Sequence, residues 1–480
     1  MNISCLPRGS AESQGVDPAG VLAFLDALES ASDIEMHSLM IIRHGRVVAE
    51  GWWSPYTPEQ VHLLYSLSKS FTSTAAAFAV DEGLLDLDAT VLSYFPEFDA
   101  DITDPGSRSM LVRHIAAMAS GHLEETIERS RRLDPIEPVR GFLLIPPDRP
   151  PGTVFAYNQP CTYALAAIVQ RLSGQTLIEY LRPRLFDPLG IDRAGWQQHP
   201  DGRDLGFTGL HATTDAIARL GLLYLQRGIW NGTRLLSEEW VSEATRVQVA
   251  NPNEPNPDWR QGYGFQFWMA RHGYRGDGAY GQFCVVLPEQ DAVIATTAAT
   301  ENMQGILDAA WTHLLPAMAA STVDPSPVAE ELTDRLSGLR LEPLQARQTP
   351  ESSAESWAGQ AFRPAGGRCE AQPTITGVRL GRDGERWRLT LAEDADALSA
   401  MVGTGAWQTN LTETDHGRTG VPLAVSGGWM DQDRFAAEVI FLETPHRLKL
   451  TCTLSDSTFR ADWVTVPLRA GRLSELRMPR

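Results

Sequence analysis

Residues 66–80 read Ser-Leu-Ser-Lys-Ser-Phe-Thr-Ser-Thr-Ala-Ala-Ala-Phe-Ala-Val, a run of small side chains without glycine or proline. Alanine-rich stretches of this kind favour helix, because alanine has no side-chain entropy to lose. A helix starting near Ser66 sets Ser66 and Lys69 one turn apart on one face. It also leaves Ser66 at the end where unpaired N–H groups and the helix dipole favour a negative oxygen. A hydroxyl, a candidate base and backbone donors for an oxyanion are thereby brought together. Serine is a poor nucleophile until a neighbour takes its proton. Lysine can take it once burial depresses the amine's pKa, and arginine cannot. Lysine is scarce here: only two of the 41 basic residues, Lys69 and Lys449, are lysine.

A chain of 480 residues with 43% apolar content is expected to fold into two or three domains with substantial cores. The net charge of −19 disfavours nucleic acid and anionic membrane as partners. No apolar run is long enough to span a bilayer, and the first residues lack the apolar segment of a signal peptide, so a cytoplasmic location is expected. The five cysteines, Cys5, Cys161, Cys284, Cys369 and Cys452, are scattered and odd in number. That spacing argues against a disulfide framework or a zinc cluster and for small buried apolar side chains.

Along the chain, residues 17–32 read as an amphipathic helix, capped by Asp17 and facing inward through Val21, Phe24, Leu25 and Leu28. Two β-rich runs around His44-Gly45 signal a hairpin. Residues 82–146 look helical and loopy, and the proline-rich segment up to Pro151 suits a loop over a site. Helices follow at Thr162 to Ser173, Leu177 to Leu181 and Thr213 to about Gln226. Strands are expected at Tyr263 to Trp268, Gly281 to Leu287 and Asp291 to Thr297, then a helix over 302–315 stopped by Pro316. Polar Pro- and Ser-rich stretches at Ser321 to Pro327 and Gln348 to Glu355 read as linkers. Short alternating runs beyond residue 356 read as an all-β sandwich or barrel.

This order of a hairpin, an S-x-x-K helix, a Tyr-Asn turn and a Gly-rich segment near residue 280 resembles the serine β-lactamase-like hydrolases. The class C β-lactamase and family VIII carboxylesterase branch is the nearest, over roughly residues 12–318. The resemblance implies an α/β (α+β) fold: a β-lactamase/transpeptidase-like antiparallel sheet flanked by helices, plus a helical subdomain. The expected organisation is a hydrolase domain at 1–320, a linker with a short helix at 321–355, and an all-β C-terminal domain at 356–480. Ser66-Leu67-Ser68-Lys69 matches the family's first motif. Tyr157 matches the tyrosine of Y-x-N, the residue that shuttles protons, while Gln159 stands where the family has asparagine and Asn158 lies beside it. The third motif is usually Lys or His, a small residue, then Gly; here it is Gly276-Asp277-Gly278. The cation that binds a substrate carboxylate is therefore missing. Arg275 is read as an exposed arginine ahead of the alternative that it supplies a charge near the site, and His122 is read as structural. The resemblance implies an oxyanion site between the N–H groups of Ser66 and Ala279, beside Gly278.

The expected activity is hydrolysis of a small-molecule ester or amide through an acyl-enzyme on Ser66. Neutral Lys69, or Tyr157 held as phenolate by Lys69, takes the serine proton. This chemistry calls for no metal and no organic cofactor. Alternatives are a β-lactamase, a D-amino-acid peptidase or amidase, an acyltransferase on the same acyl-enzyme, and a non-catalytic binding protein using the β domain.

Overall fold

The computed structural model describes residues 5–319, 327–347, 354–394, 396–412 and 420–479. The two stretches expected as linkers therefore lie mostly outside the described residues. The chain forms two compact units, residues 1–51 with 64–337, and residues 52–63 with 338–480.

The first unit opens with α1 (Pro18–Ser30), whose cap is Asp17 accepting from Ala19 N at 3.0 Å. Val21, Phe24, Leu25 and Leu28 are fully buried along it. Strands β1 (Glu35–Arg43) and β2 (Arg46–Trp52) flank His44 and Gly45, both at positive φ (49° and 70°), as a two-residue hairpin turn requires. Helix α2 (Ser68–Asp81) follows, then a region of short helices between 91 and 143, then α3 (Gln159–Ser173) and α4 (Thr214–Leu225). The sheet is completed by β3 (Trp268–Met269), β4 (Tyr274–Gly278), β5 (Gln282–Leu287) and β6 (Ala292–Ala299). Its six strands run in the order β2-β1-β6-β5-β4-β3, antiparallel from β1 to β3. Helix α4 packs closely on this sheet. A Cβ on its Gly221 would lie 2.6 Å from Val293 and 2.9 Å from Cys284.

Two sequence expectations need correcting. Tyr263 to Trp268 is not one strand, because only Trp268–Met269 pairs regularly. The backbone before it is drawn elsewhere: Phe265 N donates to Ala244 O and Gln266 N to Ala116 O, with Gln266 at φ 63°. Nor does Pro316 stop the closing helix. Met303–Ala309 runs into a widened turn, Ala310–Leu314, and then Leu315–Ala317. The wide turn is where a residue without an N–H is accommodated inside a helix.

In the second unit nine strands form one sheet, in the order 396–401, 386–393, 375–383, 361–364, 458–463, 447–453, 434–441, 422–429, 408–411. Among the described residues the 361–364 and 458–463 strands pair in parallel, and the other paired neighbours run antiparallel. The sheet curls until its end strands meet. Asn410 accepts from Met401 N at 2.7 Å and donates to Met401 O at 3.0 Å, and Gly427 N donates to Gly403 O. This is a nearly closed barrel rather than a sandwich. Alternation along 386–393 sends Trp387, Leu389 and Leu391 inward, where Trp387 and Phe435 pack edge-on against Trp429 at 4.8 and 5.1 Å.

Candidate active site

Helix α2 is buried from Ser68 to Ala79, and its hydroxyls secure the surrounding loops. Ser68 Oγ donates to Tyr65 O, Ser70 Oγ to Gln266 O, Thr72 Oγ1 to Gly206 O and Ser73 Oγ to Phe265 O. The Ser/Thr-rich composition thus satisfies loop carbonyls that would otherwise be buried unpaired. Ser66 lies in a tight turn, Tyr65–Leu67, that leads into the helix. Tyr65 holds a left-handed backbone (φ 48°), as does Tyr280 (φ 71°) just beyond Ala279. Their rings meet edge-on at 5.6 Å. Such conformations cost free energy in a non-glycine residue and persist only when surrounding contacts hold them.

Lys69 is 1% exposed, and its Nζ lies 3.0 Å from Ser66 Oγ and 2.8 Å from the Phe207 carbonyl oxygen. Burial lowers the amine from its ordinary 10.5 to about 7, against the pull of Glu125 and then Asp277. The amine also sits over the Tyr157 ring, 4.7 Å from its centroid. A neutral amine here can donate to Phe207 O while its lone pair faces the serine hydroxyl.

Tyr157 stacks on Trp268 (5.2 Å) and interacts through its hydroxyl with Ser66. Burial raises that hydroxyl far above the ordinary tyrosine range, and the Asp277 and Glu125 carboxylates raise it further. Asn158, the other amide of the motif, is fully buried, and its Oδ1 accepts from Thr126 N and Oγ1, both at 2.9 Å. It clamps a loop. Gln159 begins α3, and its N donates to Glu125 Oε1 at 3.3 Å. Its enclosed Oε1 accepts no hydrogen bond among the described residues.

Strand β4 carries Gly276-Asp277-Gly278 directly against the start of α2. A Cβ on Gly276 would lie 2.4 Å from Ser70 Oγ, and one on Gly278 2.0 Å from Leu64 O. Backbone contact calls for glycine at 278, whereas a side chain at 276 has to displace the Ser70 hydroxyl and the Leu67 side chain. Ala279 follows in the turn, its carbonyl held by Gln282 Nε2 at 3.0 Å. Arg275 is not exposed, contrary to the sequence expectation. It is fully buried over the Trp259 ring (4.3 Å), donates to Asp258 O and Met269 O, and pairs with the buried Asp277 at 3.2 Å. Aromatic faces and carbonyls replace water around the guanidinium, which is why an arginine beside the third motif turns inward.

A family model described as Beta-lactamase matches residues 25–317. The chain belongs to the beta-lactamase family. As a member of this family it is a serine hydrolase with the β-lactamase/transpeptidase fold, carrying an additional nearly barrel-shaped β unit. It is similar to 6-aminohexanoate-dimer hydrolase of Paenarthrobacter ureafaciens, 28% identical over 58% of this chain and 78% of that one. Penicillin-binding protein 4 of Amycolatopsis lactamdurans is 26% identical over 63% of this chain and 90% of that one. Among solved structures, EstCE1, a hydrolase with promiscuous acyltransferase activity, superposes with a TM-score of 0.51 at 18% identity, covering 63% of this chain and 99% of that one.

Within this beta-lactamase-family site the structure brings together Ser66, Lys69 and Tyr157, and places Gly278 against the Ser66 turn, with Ala279 next in the chain. Gln159 is tied to Glu125 through its backbone N–H, and its side-chain Oε1 is enclosed without a partner among the described residues. Sequence reasoning missed Glu125, the Phe207 carbonyl and Trp268. The carbonyl belongs to a residue 138 positions from Lys69, and no side-chain pattern announces a backbone acceptor. Among the described residues no group of His, Cys, Asp or Glu is arranged to hold a metal ion, and no helix is long and apolar enough to cross a membrane.

Proposed function

We propose that this protein cleaves an ester or amide of a small molecule through an acyl-enzyme on Ser66, with neutral Lys69 as the base. The observation that carries the reading is the enclosed Lys69 amine, 3.0 Å from Ser66 Oγ and depressed to about pH 7 by burial. Lys69 takes the Ser66 proton as Oγ attacks the carbonyl carbon. The oxyanion is held by the N–H groups of Ser66 and Ala279. Tyr157 protonates the leaving group and is reprotonated from Lys69; water then releases the acyl group. The surroundings of Tyr157 favour its neutral form, which supports Lys69 rather than a tyrosine phenolate as the base. The relative named for a 6-aminohexanoate dimer supports a small-molecule substrate. The third motif has Gly276 where the family has a cation, which disfavours substrates with a carboxylate beside the reacting bond, β-lactams included.

A screen of p-nitrophenyl esters, p-nitroanilides and a chromogenic cephalosporin tests this, with Ser66→Ala alongside. Turnover by the wild type and none by Ser66→Ala is expected. Turnover that survives in Ser66→Ala sinks the assignment.

A further inference from the structure

Strand β3 sets Trp268 opposite Arg275 of β4, and Asp277, two residues along β4, lies on the same face as Arg275. All three are buried, Trp268 with 5% of its surface exposed. The indole is clamped. It stacks on Tyr157 at 5.2 Å, meets Tyr263 and Phe155 edge-on at 4.8 and 5.4 Å, and has the Arg275 guanidinium 6.0 Å from its ring. Arg275 also ties down the next residue, donating to the Met269 carbonyl at 3.2 Å. The indole N–H, by contrast, is uncommitted. It interacts with the Tyr157 hydroxyl and with the Asp277 carboxylate, yet forms no well-aligned hydrogen bond among the described residues. Asp277 Oδ2 is already engaged by Arg275 at 3.2 Å. An enclosed donor without an acceptor costs free energy in the resting protein.

That cost is offset once a neighbouring oxygen gains charge, and the Tyr157 oxygen does so in the proposed reaction. As the bond from the acyl carbon to the leaving group breaks, the Tyr157 O–H proton passes to the departing atom. The phenolic oxygen then holds the negative charge until the Lys69 ammonium returns a proton. Asp277 and Glu125 oppose that charge. The Trp268 N–H, a donor only and too deep to touch a substrate, is placed to favour it.

We propose that Trp268 is a positioning residue of this site: its indole N–H closes onto the Tyr157 oxygen as that oxygen gives up its proton. This deepens the Ser66 acyl-enzyme reading and rests on it. The consequence is a dependence on the leaving group. Alkoxides and amines need the Tyr157 proton in order to depart, whereas p-nitrophenolate needs it far less.

The test measures kcat/KM of the full-length protein on p-nitrophenyl, phenyl and ethyl esters of one acid. The readout is the loss caused by Trp268→Phe on the ethyl ester divided by its loss on the p-nitrophenyl ester. A purely structural change slows all the esters alike and leaves this quotient at one. We expect a quotient of about ten or more, as one hydrogen bond to a charged oxygen supplies. It should return to near one when Trp268→Phe is made on Tyr157→Phe, where the oxygen is gone. If Trp268→Phe does not fold, the benzothiophene analogue of tryptophan at position 268 gives the same readout, because it keeps the fused rings and replaces the N–H by sulfur. A quotient near one in the otherwise wild-type enzyme, or one undiminished on Tyr157→Phe, overturns the inference and leaves the hydrolase reading standing. Turnover that survives in Ser66→Ala overturns both.

Discussion

The ionisation of Lys69 is testable independently of any substrate. Replacing it by methionine keeps an unbranched chain in the buried site and removes the amine. In the wild type the amine titrates at about 7 when folded and near its ordinary 10.5 when unfolded. Between these values the unfolded chain carries the extra proton, so stability must rise with pH. Each pH unit contributes about 1.4 kcal/mol, so the full window approaches about 5 kcal/mol. From pH 7 to 9, allowing for the half-protonated amine at the start, the gain is about 2 kcal/mol. Below about pH 7 both states hold the proton and the dependence flattens. The quantity to measure is the urea-unfolding free energy of the wild type minus that of Lys69→Met, across pH 6 to 9, so that other titrating groups cancel. The same amine sets the rate: kcat/KM should climb about tenfold per pH unit below 7 and level off above it. Lys69→Arg should lose activity by about 100-fold or more, because arginine does not give up its proton. A stability difference that stays flat from pH 7 to 9, together with an active Lys69→Arg enzyme, would falsify the neutral-lysine assignment.

Other substitutions probe the neighbours of this group. Tyr157→Phe keeps the stacking on Trp268 and removes the hydroxyl, so kcat should fall by about 100-fold with little change in KM, measured on whichever ester the enzyme turns over. Asp277→Asn leaves the buried Arg275 without its counter-charge. Stability should drop by about 3 kcal/mol in urea titrations, and the acidic limb of the kcat/KM profile should move to lower pH, because a carboxylate that raises the Lys69 pKa is gone. Gly276→His restores the family's residue type but drives a Cβ into Ser70 Oγ, so it should destabilise by about 2 kcal/mol and slow fluorophosphonate labelling; a stable, fully reactive variant refutes the packing argument.

What was legible in the sequence was local. Asp17 before Pro18, the spacing of Val21, Phe24, Leu25 and Leu28, and His44-Gly45 between β-rich runs each specify their element through nearest neighbours. Ser66 and Lys69 were legible because their spacing is a helical turn and lysine is so rare in this chain. The arrangement around them was not, since it depends on contacts distant in sequence. Arg275 looks exposed in a run of Gly, Asp and Tyr, and only Trp259, Trp268 and the Asp258 carbonyl, assembled by folding, bury it. Glu125 sits in a charged loop that reads as solvated. Its significance comes from two backbone N–H groups, one of them 34 residues away. Pro316 misled for the opposite reason: a strong local rule was overridden by a widened turn.

The absence of side chains at positions 276 and 278 has an evolutionary corollary. A strand laid with Gly278 on the backbone of the nucleophile's turn and Gly276 on the Ser70 and Leu67 side chains acquires new chemistry at those two positions only by displacing what it packs on. Diversification of what the enzyme accepts is thereby channelled to the loop that precedes Ile127. Mutant libraries aimed at new substrates should draw their winners from there and lose members at the two glycines.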